Sequence, residues 1–143
     1  MLKIYSKVDP SVILHMVYSK DDFFSKGGKN QRENISPDEA ALQLAAIRLY
    51  DGMTFKAHKH IPCVKQTEIT QESWIIISGR VKAILYDLDD TIVQEVILLP
   101  GDCSITFFGG HNYLSLEPDT CVVEAKSGPY FGQEKDKVFI NEK

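Results

Sequence analysis

The chain of 143 residues carries 16 Lys and Arg against 20 Asp and Glu, a formal net charge of −4, with a pI near 5.5. That length suits one domain around one core, and the acidic balance gives no electrostatic support to a nucleic-acid partner. Apolar residues make up 43% and charged residues 25%, as in ordinary soluble globular proteins, and no apolar stretch reaches the length of a membrane span.

In chain order, Leu2 to Tyr5 and Val12 to Tyr18 are short apolar runs. The second suits either a strand or one buried turn of helix, which periodicity does not separate. No signal-like apolar core and cleavage site follows the N-terminus, so a cytoplasmic setting is expected. From Asp21 the chain turns polar, and Ser25-Lys26-Gly27-Gly28-Lys29-Asn30 reads as an exposed loop. Ser36-Pro37-Asp38-Glu39 has the chemistry of a helix start, with Ser36 as N-cap and Pro37 at the first helical position, although a strand through Leu42 to Tyr50 fits as well. After the Gly52 turn, strands are predicted over 53–60, 73–78, 80–87, 91–99, 103–108, 112–117 and 120–126. Gly, Pro and Asp turn signals separate them, among them Ser78-Gly79 and Pro100-Gly101-Asp102. Many short, evenly spaced strands predict an all-β sandwich or barrel. The partition is a single domain over 1–143: an irregular or partly helical arm (1–40), a barrel (41–126), and a polar tail (127–143) lying over the surface or on a partner subunit.

The chemical signal is His58-Lys59-His60, followed by Glu72 and, well downstream, His111. Residues i and i+2 of a strand share a face, so the two histidines can grip one metal ion from one strand. Parity groups Thr54, Lys56, His58 and His60 on a face too polar for plain core, which reads as the lining of a polar cavity. Glu72, Trp74, Ile76 and Ser78 share another face, and His111 pairs with Tyr113 on a third. Neutral imidazoles with a carboxylate suit a divalent transition metal such as zinc, iron, nickel or manganese.

The competing readings are plainer. An HxH pair is common on solvated strand faces, and Glu68 is a second carboxylate, though its polar surroundings suit a solvated loop. His15, alone in an apolar run, reads as a packed or surface histidine. Asp87, Asp89 and Asp90 resemble part of a calcium loop but suit a hairpin turn better. Gly27-Gly28-Lys29 lacks P-loop spacing, and no GxSxG element occurs. Cys63, Cys103 and Cys121 are odd in number and contain no CxxC pair. They read as reduced thiols and small buried residues rather than as disulfides or nucleophiles. Trp74 reads first as core and second as pocket lining.

Gly52 with five intervening residues before His58-Lys59-His60, then Glu72 with six before Gly79, resembles the first motif of the cupin family. His111 falls where that family places its last histidine. The resemblance implies an RmlC-like double-stranded β-helix, or jelly-roll barrel, with His58, His60, Glu72 and His111 as metal ligands. Arg32-Glu33-Asn34, Leu114 with Leu116-Glu117-Pro118, and Val123-Glu124-Ala125-Lys126-Ser127-Gly128-Pro129-Tyr130 with Asp136-Lys137 are similar to phrases of the small cupin metalloproteins of bacterial O-antigen and capsular polysaccharide clusters. The chain departs from the pattern in three places. Its spacer between His60 and Glu72 is long, implying an extended loop at the barrel mouth. Phe107-Phe108-Gly109-Gly110 precedes His111 where the family has proline and glycine. Lys56 stands where the closer group has arginine, which keeps a cation but not bidentate anion binding.

The resemblance implies metal-dependent chemistry on a sugar or nucleotide-sugar, of the isomerase or epimerase type, in polysaccharide biosynthesis. Lys56 would attract an anionic group, and Tyr113 or Glu124 would move protons. Each has a plainer role: Lys56 as a solvated rim charge, Tyr113 as core, Glu124 as a salt-bridge partner of Lys126. The alternatives are a non-haem iron dioxygenase and a non-catalytic sugar-binding cupin. A homodimer is expected by the same resemblance.

Overall fold

A computed structural model describes residues 1–25 and 32–140. The predicted loop over 25–30, with its Gly27-Gly28-Lys29, falls almost wholly outside the described residues. The elements are β1 (Leu2–Tyr5), β2 (Ile13–Tyr18), α1 (Lys20–Ser25), β3 (Arg32–Asn34), β4 (Ala45–Ile47), β5 (Glu72–Ser78), β6 (Val81–Tyr86), β7 (Ile92–Leu98), β8 (Cys103–Thr106), β9 (His111–Ser115), β10 (Cys121–Lys126) and α2 (Gln133–Asp136). The fold is mostly β. All strand pairs are antiparallel, in a five-stranded sheet β1-β2-β8-β5-β10, a three-stranded sheet β7-β6-β9 and a small β3-β4 ribbon.

Alternation along the strands builds two cores, one on each face of the five-stranded sheet. Val17 and Ile76 point one way and meet Val81, Ala83, Leu85 and Leu98 of the three-stranded sheet, with Val96, Tyr113 and Val122 packed around them. Met16, Tyr18, Cys103 and Ile105 point the other way. Phe23 of α1, Ile35 and the apolar side chains of 40–46 cover that second face. Period-two alternation with both faces buried is what strands in the middle of a layered fold require. The first forty residues therefore supply two strands to the main sheet, and Leu14 and Met16 of β2 are fully buried.

The predicted strands from 73 onward appear as β5 to β10, shifted by a residue or two at their ends. The turn at Asp87–Asp90 is a hairpin, as its composition suggests. Asp87 is buried there, accepting hydrogen bonds from Ser6 Oγ and from the backbone N–H groups of Lys7 and Leu88. Two expectations are corrected. Ser36 does not cap a helix; its Oγ accepts from Leu44 N at 2.6 Å, and Pro37 O accepts from Ala40 N in a tight turn. More consequentially, 53–60 is not a strand. Residues 53–71 contain no regular element, and every residue from 54 to 69 is exposed. The apolar–polar alternation is present, but among the described residues no neighbouring strand hydrogen-bonds to it, and a lone extended segment has no ladder to hold it.

Candidate functional site

β9 lies over β8 and β5 across the gap between the two sheets. Tyr113 stacks on Trp74 with ring centroids 4.1 Å apart, and its phenol meets Ser104 Oγ at 2.8 Å. One residue pair further along, His111 Nε2 meets Glu72 Oε1 at 3.1 Å. Trp74 Nε1 donates to the same carboxylate oxygen at 2.8 Å. Glu72, Trp74 and Ile76 share the inner face of β5, as parity predicts. Ile76 sits in the apolar core, and Glu72 and Trp74 extend that face toward the end of the layer.

Polar groups continue inward from this end. Thr106, register partner of both Glu72 and His15, lies at 3.0 Å from His15 Nδ1 through its Oγ1. His15 Nε2 sits 2.9 Å from Tyr86 O. A carbonyl only accepts, so Nε2 carries the hydrogen and Nδ1 accepts from Thr106. His15 is therefore a packed histidine with both nitrogens satisfied. Sequence reasoning had not grouped His15, Ser104 and Thr106 with the site. A signal was available: in Cys103-Ser104-Ile105-Thr106 the small hydroxyl residues alternate with apolar ones, which marks a polar inner face.

Burial would raise the pKa of Glu72, but the hydrogen bond and charge of His111, the Trp74 indole and the Lys137 charge outweigh it, so the carboxylate is held below its ordinary range. Burial drives His15 down to about 4, so it is neutral at physiological pH. Burial pushes the Tyr113 phenol up; the Ser104 hydrogen bond opposes it, the Glu72 charge adds to it, and Thr106 opposes it more weakly. It keeps its proton, and either hydroxyl can donate in its contact with Ser104. His111 Nδ1 is buried without a hydrogen-bond partner.

The other predicted site residues lie elsewhere. His58 and His60 are exposed on the irregular 53–71 segment, with rings 5.6 Å apart and edge-on. His58 Nδ1 donates to Lys56 O at 2.9 Å, which leaves Nε2 with a free lone pair. Lys56 is exposed on the same segment, as is the alternative carboxylate Glu68. Glu124 is register partner to Trp74 on β10 but exposed. It does not take Lys126, whose ammonium pairs with Asp136 at 3.0 Å. Of the cysteines only Cys103 is buried, and burial pushes its thiol up to about 12, far from a nucleophile's range.

These positions test the fit of a metal. Two donor atoms bound to one zinc-like ion stand roughly 3.0–3.4 Å apart, given bonds near 2.1 Å. The Glu72–His111 separation suits that as well as a hydrogen bond. In this arrangement, however, the described residues bring no three His, Cys, Asp or Glu side chains together to hold an ion. Half the set converges, and the HxH half stands outside it. No protein-family model, curated protein or solved structure matches the chain. Two surface grooves, of about 290 and 390 Å³, are lined by neither member of the pair. One of about 290 Å³ lies on the other face of the main sheet, between Val12-Ile13, Pro37, Ala40, Gln71 and Phe107. Glu39 is the single ionisable side chain in its lining, and the second groove is lined by Lys3, Asp38 and Glu39 with no His or Cys, so the polar end of the layer is the better candidate for a metal. Among the described residues no helix is long and apolar enough to cross a membrane.

Proposed function

We propose that the chain is a metal-binding jelly-roll protein of cupin type acting on a sugar or nucleotide-sugar, with Glu72 and His111 as the fixed half of its metal centre. The observation that carries this reading is the meeting of Glu72 Oε1 and His111 Nε2 across two different sheets. The rest of the centre is supplied by ordering of 53–60. β9 is an edge of the three-stranded sheet, and its Tyr113 N–H is taken by the neighbouring Asn112 side chain rather than by a strand. Because β9 lies over β5, the inner face of β10 beyond it has no strand opposite among the described residues, which agrees with the exposure of Glu124. A segment pairing with the free edge of β9 would fill that gap. Period-two geometry would then turn His58 and His60 to one face together.

A bound divalent ion would supply Lewis acidity toward a carbonyl. The chain's own groups have separable parts around it: Tyr113 holds a proton at its phenol, Glu72 holds a negative charge, and Lys56 travels with the histidines as a cation for an anionic group. Isothermal titration of the chelator-treated protein with Zn²⁺, Fe²⁺, Ni²⁺ and Mn²⁺ tests the reading. One tight site per chain is expected, lost in His111→Ala and in Glu72→Gln and weakened at least about tenfold in His58→Ala/His60→Ala, as loss of ligands requires. Unchanged affinity in the double-histidine variant would remove the proposal. Iron as the preferred ion, with substrate-dependent oxygen uptake, would replace isomerase chemistry with a dioxygenase.

A further inference from the structure

The C-terminal segment does not trail away from the domain. After β10 it turns back, and its course can be followed through three anchors. Asp136, at the end of α2, accepts from Thr70 Oγ1 at 3.0 Å and pairs with Lys126 Nζ at 3.0 Å. The side chain of Asp136 is about one-tenth exposed, unusually low for a surface carboxylate. Lys126 also lies over the Tyr130 ring, 4.3 Å from its centroid. Four residues after Asp136, the Ile140 side chain stands where any Cβ at Gly110 would be, directly before His111. Val138 and Phe139 are 90% and 75% exposed, while Ile140 is half-buried.

Lys126 is the register partner of Glu72, and Gly110 adjoins His111. The segment therefore leaves the five-stranded sheet beside Glu72 and reaches the three-stranded sheet beside His111. It crosses the end of the layer where those two side chains meet. The Lys137 charge acts on Glu72, consistent with that course.

We propose that residues 133–140 form a strap that closes the Glu72–His111 end of the sandwich, latched by Asp136 and wedged by Ile140, and that ligands reach the site only when it lifts. The significance of the strap for ligands rests on the function proposed above, but its closure does not, because closure can be read without metal or substrate. The chain has a single tryptophan, and Trp74 is hydrogen-bonded to Glu72 at this end. Acrylamide quenching of Trp74 in metal-free protein therefore reports access directly. Asp136→Ala removes the latch and Ile140→Ala removes the wedge. Combined, they are expected to raise the quenching constant about twofold while far-UV circular dichroism stays unchanged, as for opening of a local unit. Gly110→Ala, which drives a methyl into Ile140, is expected to do the same. Unchanged quenching in both the double variant and Gly110→Ala would overturn the strap, even if metal titrations succeed.

Discussion

His15 shows how one side chain can carry a pH dependence for the whole domain. It is wholly buried, and burial lowers its pKa from 6.5 to about 4. The unfolded chain takes up this proton near pH 6.5 and the folded one only near pH 4. Stability is thus complete above 6.5 and falls through that window as the pH drops, by about 3 kcal/mol at one pH unit per 1.4 kcal/mol. Urea denaturation at pH 7, 5.5 and 4.5 should record most of the loss. His15→Gln should be less stable at pH 7 but nearly flat over the same range. Glu72 runs in the same direction but lower: its depressed pKa contributes stability above about pH 4.5 that vanishes on further acidification. At Tyr113 the sequence offered core packing or proton transfer. The phenol, tied to Ser104, joins the two sheets and keeps its proton.

At the scale of elements, the β5–β6 turn is the sharpest local constraint. Gly79 has φ +78°, and a Cβ there would come within 2.9 Å of Thr120 Cα. Gly79→Ala should therefore cost about 1–3 kcal/mol, seen as a lowered urea midpoint with an unchanged slope. This turn and those after Asp87 and Pro100 were legible because glycine, proline and aspartate punctuate runs of Ile, Val and Tyr. β5 to β10 followed from the same alternation. The same rule misled over 53–60, because alternation shows which face a strand would bury but not whether a neighbour exists to pair with it. Two of the predicted ligands could be read as meeting, since Glu72 and His111 lie on regular strands whose parity is fixed. The position of His58 and His60 could not, since the segment that carries them is in no regular element whose parity would fix it. The strap was hidden for a related reason: a polar tail reveals nothing of Asp136 bonding to Thr70, 66 positions earlier in the chain.

Across the whole molecule, order is unevenly distributed. Two cores flank one five-stranded sheet, while 54–69 stands exposed with Phe55 at 58%, Ile61 at 87% and Val64 at 92% accessible. Such a segment is the first target of a protease. Brief trypsin treatment should cut after Lys56, Lys59 or Lys65 before Lys82 or Lys126, as fragment masses will show. Saturating divalent metal should slow those early cuts if the segment orders onto β9; equal rates with and without metal would speak against that ordering. The bare rim of β9 has one more consequence. Apart from the Tyr113 N–H, which the Asn112 side chain takes, its outward backbone groups have no preference for the chain they came from, so an extended peptide of compatible sequence would find a partial template there. If 53–60 pairs there, the same few backbone groups would govern both that pairing and adhesion between copies.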